Sequence, residues 1–239
     1  MADGVRSADR IPPAAEVPGA ADVPPGAEVP VAVEASVVWC DFGGVLTSSI
    51  PEAFDRFVSA VGVPATVLRS AISAVAGECG MQMLEPMECG LMTQREWGLR
   101  VTAALAPDWT SRVDLTRFGD HWYKGRQMNN ALLDCLAECR RRGLRVGLLT
   151  NSVAEWEPHR AALMPDASVF EVTINSHEIG FCKPDPKIYQ MAEDAFGVAP
   201  RQCLLIDDTP VNCAAAQARG WRTILHSSLE QTLDRLAQL

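Results

Sequence analysis

Five short runs of the chain are β-rich, most of them nearly continuously apolar: Ser36–Cys40, Arg145–Leu149, Phe170–Ile174, Cys203–Ile206 and Arg222–Leu225. Strands of that kind belong in a parallel sheet buried on both faces, because a half-exposed strand would alternate apolar and polar residues. Amphipathic stretches separate them. Met128–Arg142 sets Leu132, Cys135, Leu136 and Cys139 on one helical face and closes on Arg140, Arg141, Arg142 and Gly143. Cations and a glycine are what a helix C-terminus favours, so that basic cluster reads as a helix end and not an anion site. Pro186–Phe196, Val211–Arg219 and Ser228–Leu239 read as further helices. Strand and helix alternate, which predicts an α/β fold with a parallel sheet and helices on both faces.

One stretch breaks the rhythm. Residues 48–127 read as helix only, over Pro51–Val61, Pro64–Ala76, Thr93–Leu105 and about Leu115–Trp122. A smaller helical domain inserted after the first strand is therefore expected at 48–127, with 37–47 and 128–239 forming the α/β core. Trp97, Trp109 and Trp122 all fall in the insertion and are expected in its core before any ligand-stacking role. The run Met81, Met83, Leu84, Met87, Leu91 and Met92 fits helix packing, and also fits a surface for an apolar substrate body.

Residues 1–36 read as a separate arm. They hold no aromatic residue and no Leu, carry six of the sixteen prolines, and repeat AEVP, ADVP and AEVP with a period of six. Such a segment buries too little apolar surface to offset its ordering entropy, so a disordered or polyproline-like arm is expected. It is read as a solvated tail or a docking arm for a protein partner that the sequence does not name.

The net charge of −9 makes nucleic acid a poor partner, because that affinity comes from neutralising phosphates with Lys and Arg. No apolar run reaches the roughly 18 residues that a membrane span needs. None of the eight cysteines forms a CxxC pair, so zinc-ribbon and thioredoxin readings lose their support. They read as thiols of a cytoplasmic protein, with Cys182 beside Lys183 as a candidate for modest activation. His121, His159, His177 and His226 show no metal spacing and read as surface or packing residues.

The chemistry lies where the strands end. Ligands of open parallel sheets bind outside the carboxyl ends of the strands. Asp41 follows the first run; Thr150, then Asn151 and Ser152, follow the second; Asp207 and Asp208 follow the fourth. Lys183 precedes the helix that starts near Pro186. A lone strand-end Asp is usually a turn or cap residue, but a repeated coincidence of this kind asks for another explanation. Together these groups match phosphoryl transfer. A carboxylate can be the nucleophile, two carboxylates can hold a magnesium ion, a hydroxyl and backbone N–H groups can hold phosphoryl oxygens, and the ammonium offsets developing charge.

The stretches T-N-S at 150–152, C-K-P-D-P-K-I-Y at 182–189 and I-D-D-T-P at 206–210 resemble the haloacid dehalogenase superfamily with its aspartate-nucleophile phosphatases. The likeness covers about residues 37–239. It is nearest to the branch containing the amino-terminal phosphatase domain of soluble epoxide hydrolase and the similar domain of some acyl-CoA dehydrogenase-like proteins. The resemblance implies a Rossmann-like core with a helical cap inserted after the first strand. It implies Asp41 as nucleophile and Lys183 bridging nucleophile and phosphate. Asp41, the Gly43 carbonyl and Asp208 would be magnesium ligands, with Asp207 supporting them. Thr150 and Asn151 would bind phosphate, and a small phosphorylated metabolite would be the substrate.

Gly43 departs from that pattern. The family's phosphatases usually carry a second Asp there, which protonates the leaving oxygen and later activates water. Such help is worth about 10²–10⁴-fold, or roughly 3–5 kcal/mol. Three readings stay open. The substrate has a good leaving group; a cap residue or water substitutes, with His121 as a weak candidate; or turnover is lost and ligand binding kept. A different reaction on the same scaffold, carbon–halogen or carbon–phosphorus cleavage or ionisation of a diphosphate ester, is a further alternative. A glycine at 43 also leaves open a backbone with φ > 0 that an Asp would resist.

Overall fold

A computed structural model describes residues 35–105 and 107–239. The arm expected at 1–36 lies almost wholly outside the described residues. Its last two positions belong to the sheet layer: Ala35 is buried, and the Ser36 amide donates to the Gln202 carbonyl.

Five strands form one parallel sheet in the order β3-β2-β1-β4-β5: β1 Val37–Cys40, β2 Arg145–Thr150, β3 Val172–Asn175, β4 Cys203–Asp207 and β5 Arg222–Leu225. The central strands divide their side chains between the two faces. Val38, Cys40, Leu204 and Ile206 enter one core with Leu132, Leu136 and Leu236. Val37, Trp39, Cys203 and Leu205 enter the other with Ile188, Tyr189 and Trp221. Both faces are thus covered, which is why these strands read as continuous apolar runs. The helices of this layer are α6 Asn130–Arg141, α7 Glu157–Leu163, α8 Ser176–Ile179, α9 Pro186–Phe196, α10 Pro210–Ala218 and α11 Leu229–Leu236. Local signals set their ends: Asn129 caps α6, Asp185 caps α9 with Pro186 in its first turn, and Gly197 ends α9 in the left-handed conformation.

The chain leaves the sheet layer and returns to it at one place. The Ser48 amide donates to the Gln127 carbonyl, the Asn129 amide donates to Leu46, and Thr47 and Met128 form an antiparallel bridge. Between those points lie α1 Ile50–Val61, α2 Ala65–Gly77, α3 Glu85–Glu88, α4 Gln94–Ala104 and α5 Phe118–Trp122, the last preceded by a 3₁₀ turn over Leu115–Arg117. A capping box of Thr93 and Glu96 starts α4. These helices share a core of Phe57, Leu68, Ile72, Trp97, Val101 and Phe118 that also takes in Val153 and Trp156 of the α/β layer. Trp97 and Trp122 are buried as expected, but Trp109 is 39% exposed and does not belong to the core. No single helix among the described residues is long and apolar enough to cross a membrane.

Helix α4 meets the 3₁₀ turn at Gly98, where a Cβ would run into the backbone of Leu115 and Thr116. Backbone gives way less readily than a side-chain tip. Gly98→Ala is expected to cost about 1–3 kcal/mol through overpacking. Thermal denaturation should record that as a fall of roughly 2–12 °C. An unchanged melting temperature would show that the two helices part without penalty.

The cysteines depart from the expectation of free thiols. The sulfurs of Cys89 and Cys182 are paired, with Cα atoms 5.8 Å apart across 93 residues of sequence. Helix α3 carries Cys89 against the loop before Lys183, a tertiary contact without a CxxC-like signature. The other six cysteines are free, and four of them are buried.

Candidate active site

The polar strand ends converge because the strands are parallel. Cys40 pairs in register with Ile206, so Asp41 and Asp207 emerge side by side one residue further on, and the Asp41 amide donates to the Ile206 carbonyl at 2.9 Å. Thr150 closes β2 on the other side of β1. The chain runs from β1 to β2 on one side, while β4 lies on the other, so the crevice opens at a topological switch point.

Lys183 joins the two strand-end carboxylates. Its Nζ donates to Asp41 Oδ1 at 2.7 Å and to Asp207 Oδ2 at 2.6 Å. All three are buried, Lys183 at 3% exposure, Asp41 at 7% and Asp207 at 0%. Burial pushes the Asp41 carboxyl up, with the Lys183 ammonium pulling it down and the Asp207 and Asp208 charges adding to the rise. Lys183 itself is desolvated, but Asp207 and Asp41 hold its ammonium firmly charged. Asp207 is pinned by the Thr209 amide at 2.8 Å and by Asn212 Nδ2, which donates to both of its oxygens. Its oxygens are therefore spent on structure. Asp41 keeps one carboxylate oxygen without a bonded donor among the described residues.

Lys183 is held from behind by Asn151. The Asn151 side-chain oxygen accepts from the Lys183 amide at 2.8 Å, and its Nδ2 donates to the Lys183 carbonyl at 3.0 Å. Its side-chain amide is thus a clamp on the Lys183 backbone. The Thr150 hydroxyl is buried and donates to the Asn151 carbonyl at 3.2 Å. His121, on α5, is half-buried and is not among the residues lining the active-site cavity.

Asp208 turns the other way, toward the loop after β1. Gly44 has φ +88°, and a Cβ there would clash with a carboxylate oxygen of Asp208. That cradle draws Asp208 onto the backbone of the Asp41–Gly44 turn. Burial and the neighbouring Asp207 charge raise its carboxyl, while the Thr209 hydroxyl, 3.2 Å from its Oδ1, opposes the rise. Gly43 is not the strained glycine, because φ > 0 belongs to its neighbour. A Cβ at 43 would meet Ile50 Cδ1 at 3.2 Å and the Arg126 guanidinium at 4.0 Å. Among the described residues no cluster of three or more His, Cys, Asp or Glu is arranged to hold a metal by side chains alone. Asp41 and Asp208 bring two carboxylates to the same cavity, hard oxygens of the kind magnesium prefers while keeping several waters.

A cavity of about 500 Å³ opens over these groups. Asp41, Gly43, Asn151, Lys183 and Asp208 line its floor, and Ile50, Phe54, Phe57, Ile72, Phe118 and Trp122 give it an apolar wall. The Met-rich run divides between the two roles open to it: Met83 and Leu84 face the cavity, while Met87 and Met92 are buried in the cap. Glu85 and Glu88 also line it. Neither was singled out by the sequence.

A family model of haloacid dehalogenase-like hydrolases matches residues 36–220. The chain belongs to this family. It is 43% identical over 75 residues to a phosphoserine phosphatase of Thermus thermophilus, covering 31% of this chain and 30% of that protein. It is 24% identical over 211 residues to the bifunctional epoxide hydrolase 2 of Mus musculus, covering 83% of this chain and 38% of that protein. The chain thus spans well under half the length of these curated relatives. Among solved structures, a HAD family enzyme of Bacteroides thetaiotaomicron in complex with magnesium and inorganic phosphate shares the fold, with a TM-score of 0.59 at 22% identity over 80% of this chain and 93% of that one. The epoxide hydrolase likeness agrees with the branch expected from the motifs.

Proposed function

We propose that the protein is a magnesium-dependent phosphatase that cleaves a phosphate ester of a small metabolite through an aspartyl-phosphate on Asp41. The observation that carries this reading is the buried Lys183 ammonium shared by Asp41 and Asp207, which leaves one oxygen of Asp41 free at the cavity floor. Holding one oxygen of the nucleophile fixes its direction of attack before substrate arrives.

Asp41, the Gly43 carbonyl and Asp208 would hold the metal, and Asp207 would support them by fixing Lys183. The metal, when bound, supplies positive charge against the transferring phosphoryl oxygens. The chain's own groups do the rest. Asp41 attacks phosphorus in line with the departing oxygen, and Lys183 offsets charge on nucleophile and phosphate. The Thr150 hydroxyl and the backbone N–H groups that follow it would bind the phosphoryl group, with Asn151 contributing by its backbone because its side chain is committed to Lys183. Water then attacks the same phosphorus, frees inorganic phosphate and restores Asp41. The apolar wall excludes bulk water and fits a substrate with an apolar body. Asp208 beside Gly44 supports phosphate chemistry over carbon–halogen cleavage, which needs no cation.

Phosphate release from p-nitrophenyl phosphate and a panel of alkyl, acyl and anomeric phosphates, with magnesium and with chelator, tests the reading. Chelator-sensitive release that disappears in Asp41→Asn is expected. No release from any ester in the presence of magnesium would overturn it.

A further inference from the structure

A poor leaving group needs a proton as it departs, and Gly43 has none to give. The cavity contains two carboxylic side chains outside the proposed metal set, Glu85 and Glu88. Glu85 is committed, its Oε2 accepting from the Gln82 amide at 2.8 Å at the start of α3. Glu88, on the last residue of α3, has no donor bonded to its carboxylate among the described residues. Its backbone is anchored to the α/β layer. The Glu88 carbonyl accepts from the Ser176 hydroxyl at 2.5 Å, and that hydroxyl accepts from the Ser152 amide at 2.9 Å, two residues beyond Thr150. The next residue, Cys89, is paired with Cys182, whose Cα lies 5.8 Å away and whose neighbour is Lys183. Glu88 is therefore fixed beside the catalytic lysine from two directions, with a free carboxyl in the cavity.

We propose that Glu88 is the general acid and base that replaces the missing carboxylate at position 43; this rests on the phosphatase reading above. As the Asp41 oxygen bonds to phosphorus and the bond from phosphorus to the ester oxygen breaks, the Glu88 proton passes to that oxygen and the alcohol leaves. The Glu88 carboxylate then takes a proton from the water whose oxygen bonds to phosphorus. The bond between phosphorus and Asp41 breaks, which returns both residues to their starting state.

The surroundings suit the task. Burial, then the charges of Glu85 and Asp41, push the Glu88 carboxyl up to about 7, against the pull of Lys183. His177 and Glu178 on α8, which packs on α3, and Arg69 and Asp208 in the cavity lining are further titratable groups around it. A group that gives and then takes a proton works best when its pKa lies near the operating pH.

The test uses the full chain with saturating magnesium and two esters, p-nitrophenyl phosphate and 2-phenylethyl phosphate. Both are followed from pH 5.5 to 8.5 in wild type, Glu88→Gln and Glu88→Asp. Glu88→Gln is expected to slow the alkyl ester about 10²–10⁴-fold, and the nitrophenyl ester at least tenfold less, because nitrophenolate departs without a proton. Wild-type kcat on the alkyl ester should fall as pH rises through about 7, and that limb should vanish in Glu88→Gln. Glu88→Asp should restore part of the alkyl rate and its pH limb, which also covers a misfolded glutamine variant. Equal losses on the two esters, or an alkaline limb that survives in Glu88→Gln, would overturn the role of Glu88 alone. A wild type inactive on both esters would overturn the phosphatase reading, and Glu88's role with it.

Discussion

Lys183→Met is expected to melt far below the wild type and to lose detectable turnover. The ammonium is buried between two carboxylates that lie on adjacent strands, 2.7 Å from Asp41 and 2.6 Å from Asp207. Met has nearly the same length and leaves the packing in place, so the change isolates the charge. Breaking a buried pair by removing one partner costs about 3–5 kcal/mol, because the remaining charge stays desolvated. At roughly 2–4 °C per kcal/mol, that is a fall of about 6–20 °C in melting temperature. The loss should also depend on pH. Lys183 is the group that lowers the Asp41 carboxyl, so its removal lets burial and Asp207 raise that carboxyl further. A carboxyl whose folded pKa lies above its unfolded value destabilises the protein when pH exceeds the unfolded pKa. The deficit of Lys183→Met should therefore be large at pH 7.5 and shrink as pH falls through the raised pKa. For the wild type the sign is opposite. The raised Lys183 pKa contributes stability that is complete below about 10.5 and disappears only as pH rises beyond it. Thermal melts of both proteins at pH 5, 7.5 and 10 read these differences. A variant that melts with the wild type at pH 7.5 would show that Asp41 and Asp207 do not need Lys183 as their counter-charge.

Much of the candidate site was legible in the sequence because its members sit where a pattern breaks. Buried parallel strands leave no apolar alternation to interpret, so Asp41, Thr150 and Asp207 stand out as the first polar residues after continuous apolar runs. Lys183 stands out because it opens a proline-marked helix start. The five strands were legible as those short apolar runs, and the longer helices because they run for long enough to show a period. The four-residue helices α3 and α8 are too short to show one, and the functional surface they carry was missed with them. Glu88 lies inside a methionine-rich run whose main signal is packing. Its placement comes from its own contact with Ser176, 88 residues away, and from the pairing of its neighbour Cys89 with Cys182, 93 residues from Cys89. Asn151 illustrates a different limit. The motif placed it at the site, but only tertiary geometry shows that its side-chain amide is used up on the Lys183 backbone. The question posed by Gly43 had a similar outcome: the left-handed residue is Gly44, and it is left-handed where Asp208 presses on the turn.

That contact between Asp208 and Gly44 gives the second large expectation. Asp208→Asn keeps the size of the side chain and its approach to Thr209, and removes the charge. If Asp41, the Gly43 carbonyl and Asp208 hold magnesium, the variant should lose magnesium affinity by more than the 10–100-fold that changes behind a ligand usually cost. Its fold should survive. Asp208 lies beside Asp207, whose charge raises it, so neutralising it relieves repulsion in the metal-free protein. Without magnesium, Asp208→Asn should thus melt at or slightly above the wild type. With magnesium at a hundred times its dissociation constant, the wild type should gain about 2.7 kcal/mol, a rise of roughly 5–10 °C, and the variant should gain nothing. The effect has a pH dependence of known sign. The ion needs the carboxylate, burial raises the carboxyl, and a proton therefore competes with the metal as pH falls. The wild-type gain should shrink on acidification, while Asp208→Asn should show no gain at any pH. Melting curves at graded magnesium and pH, with chelator-treated protein as the zero, measure both. An equal magnesium-induced rise in the two proteins would take Asp208 out of the metal site, and the Gly44 cradle would then be only a packing contact.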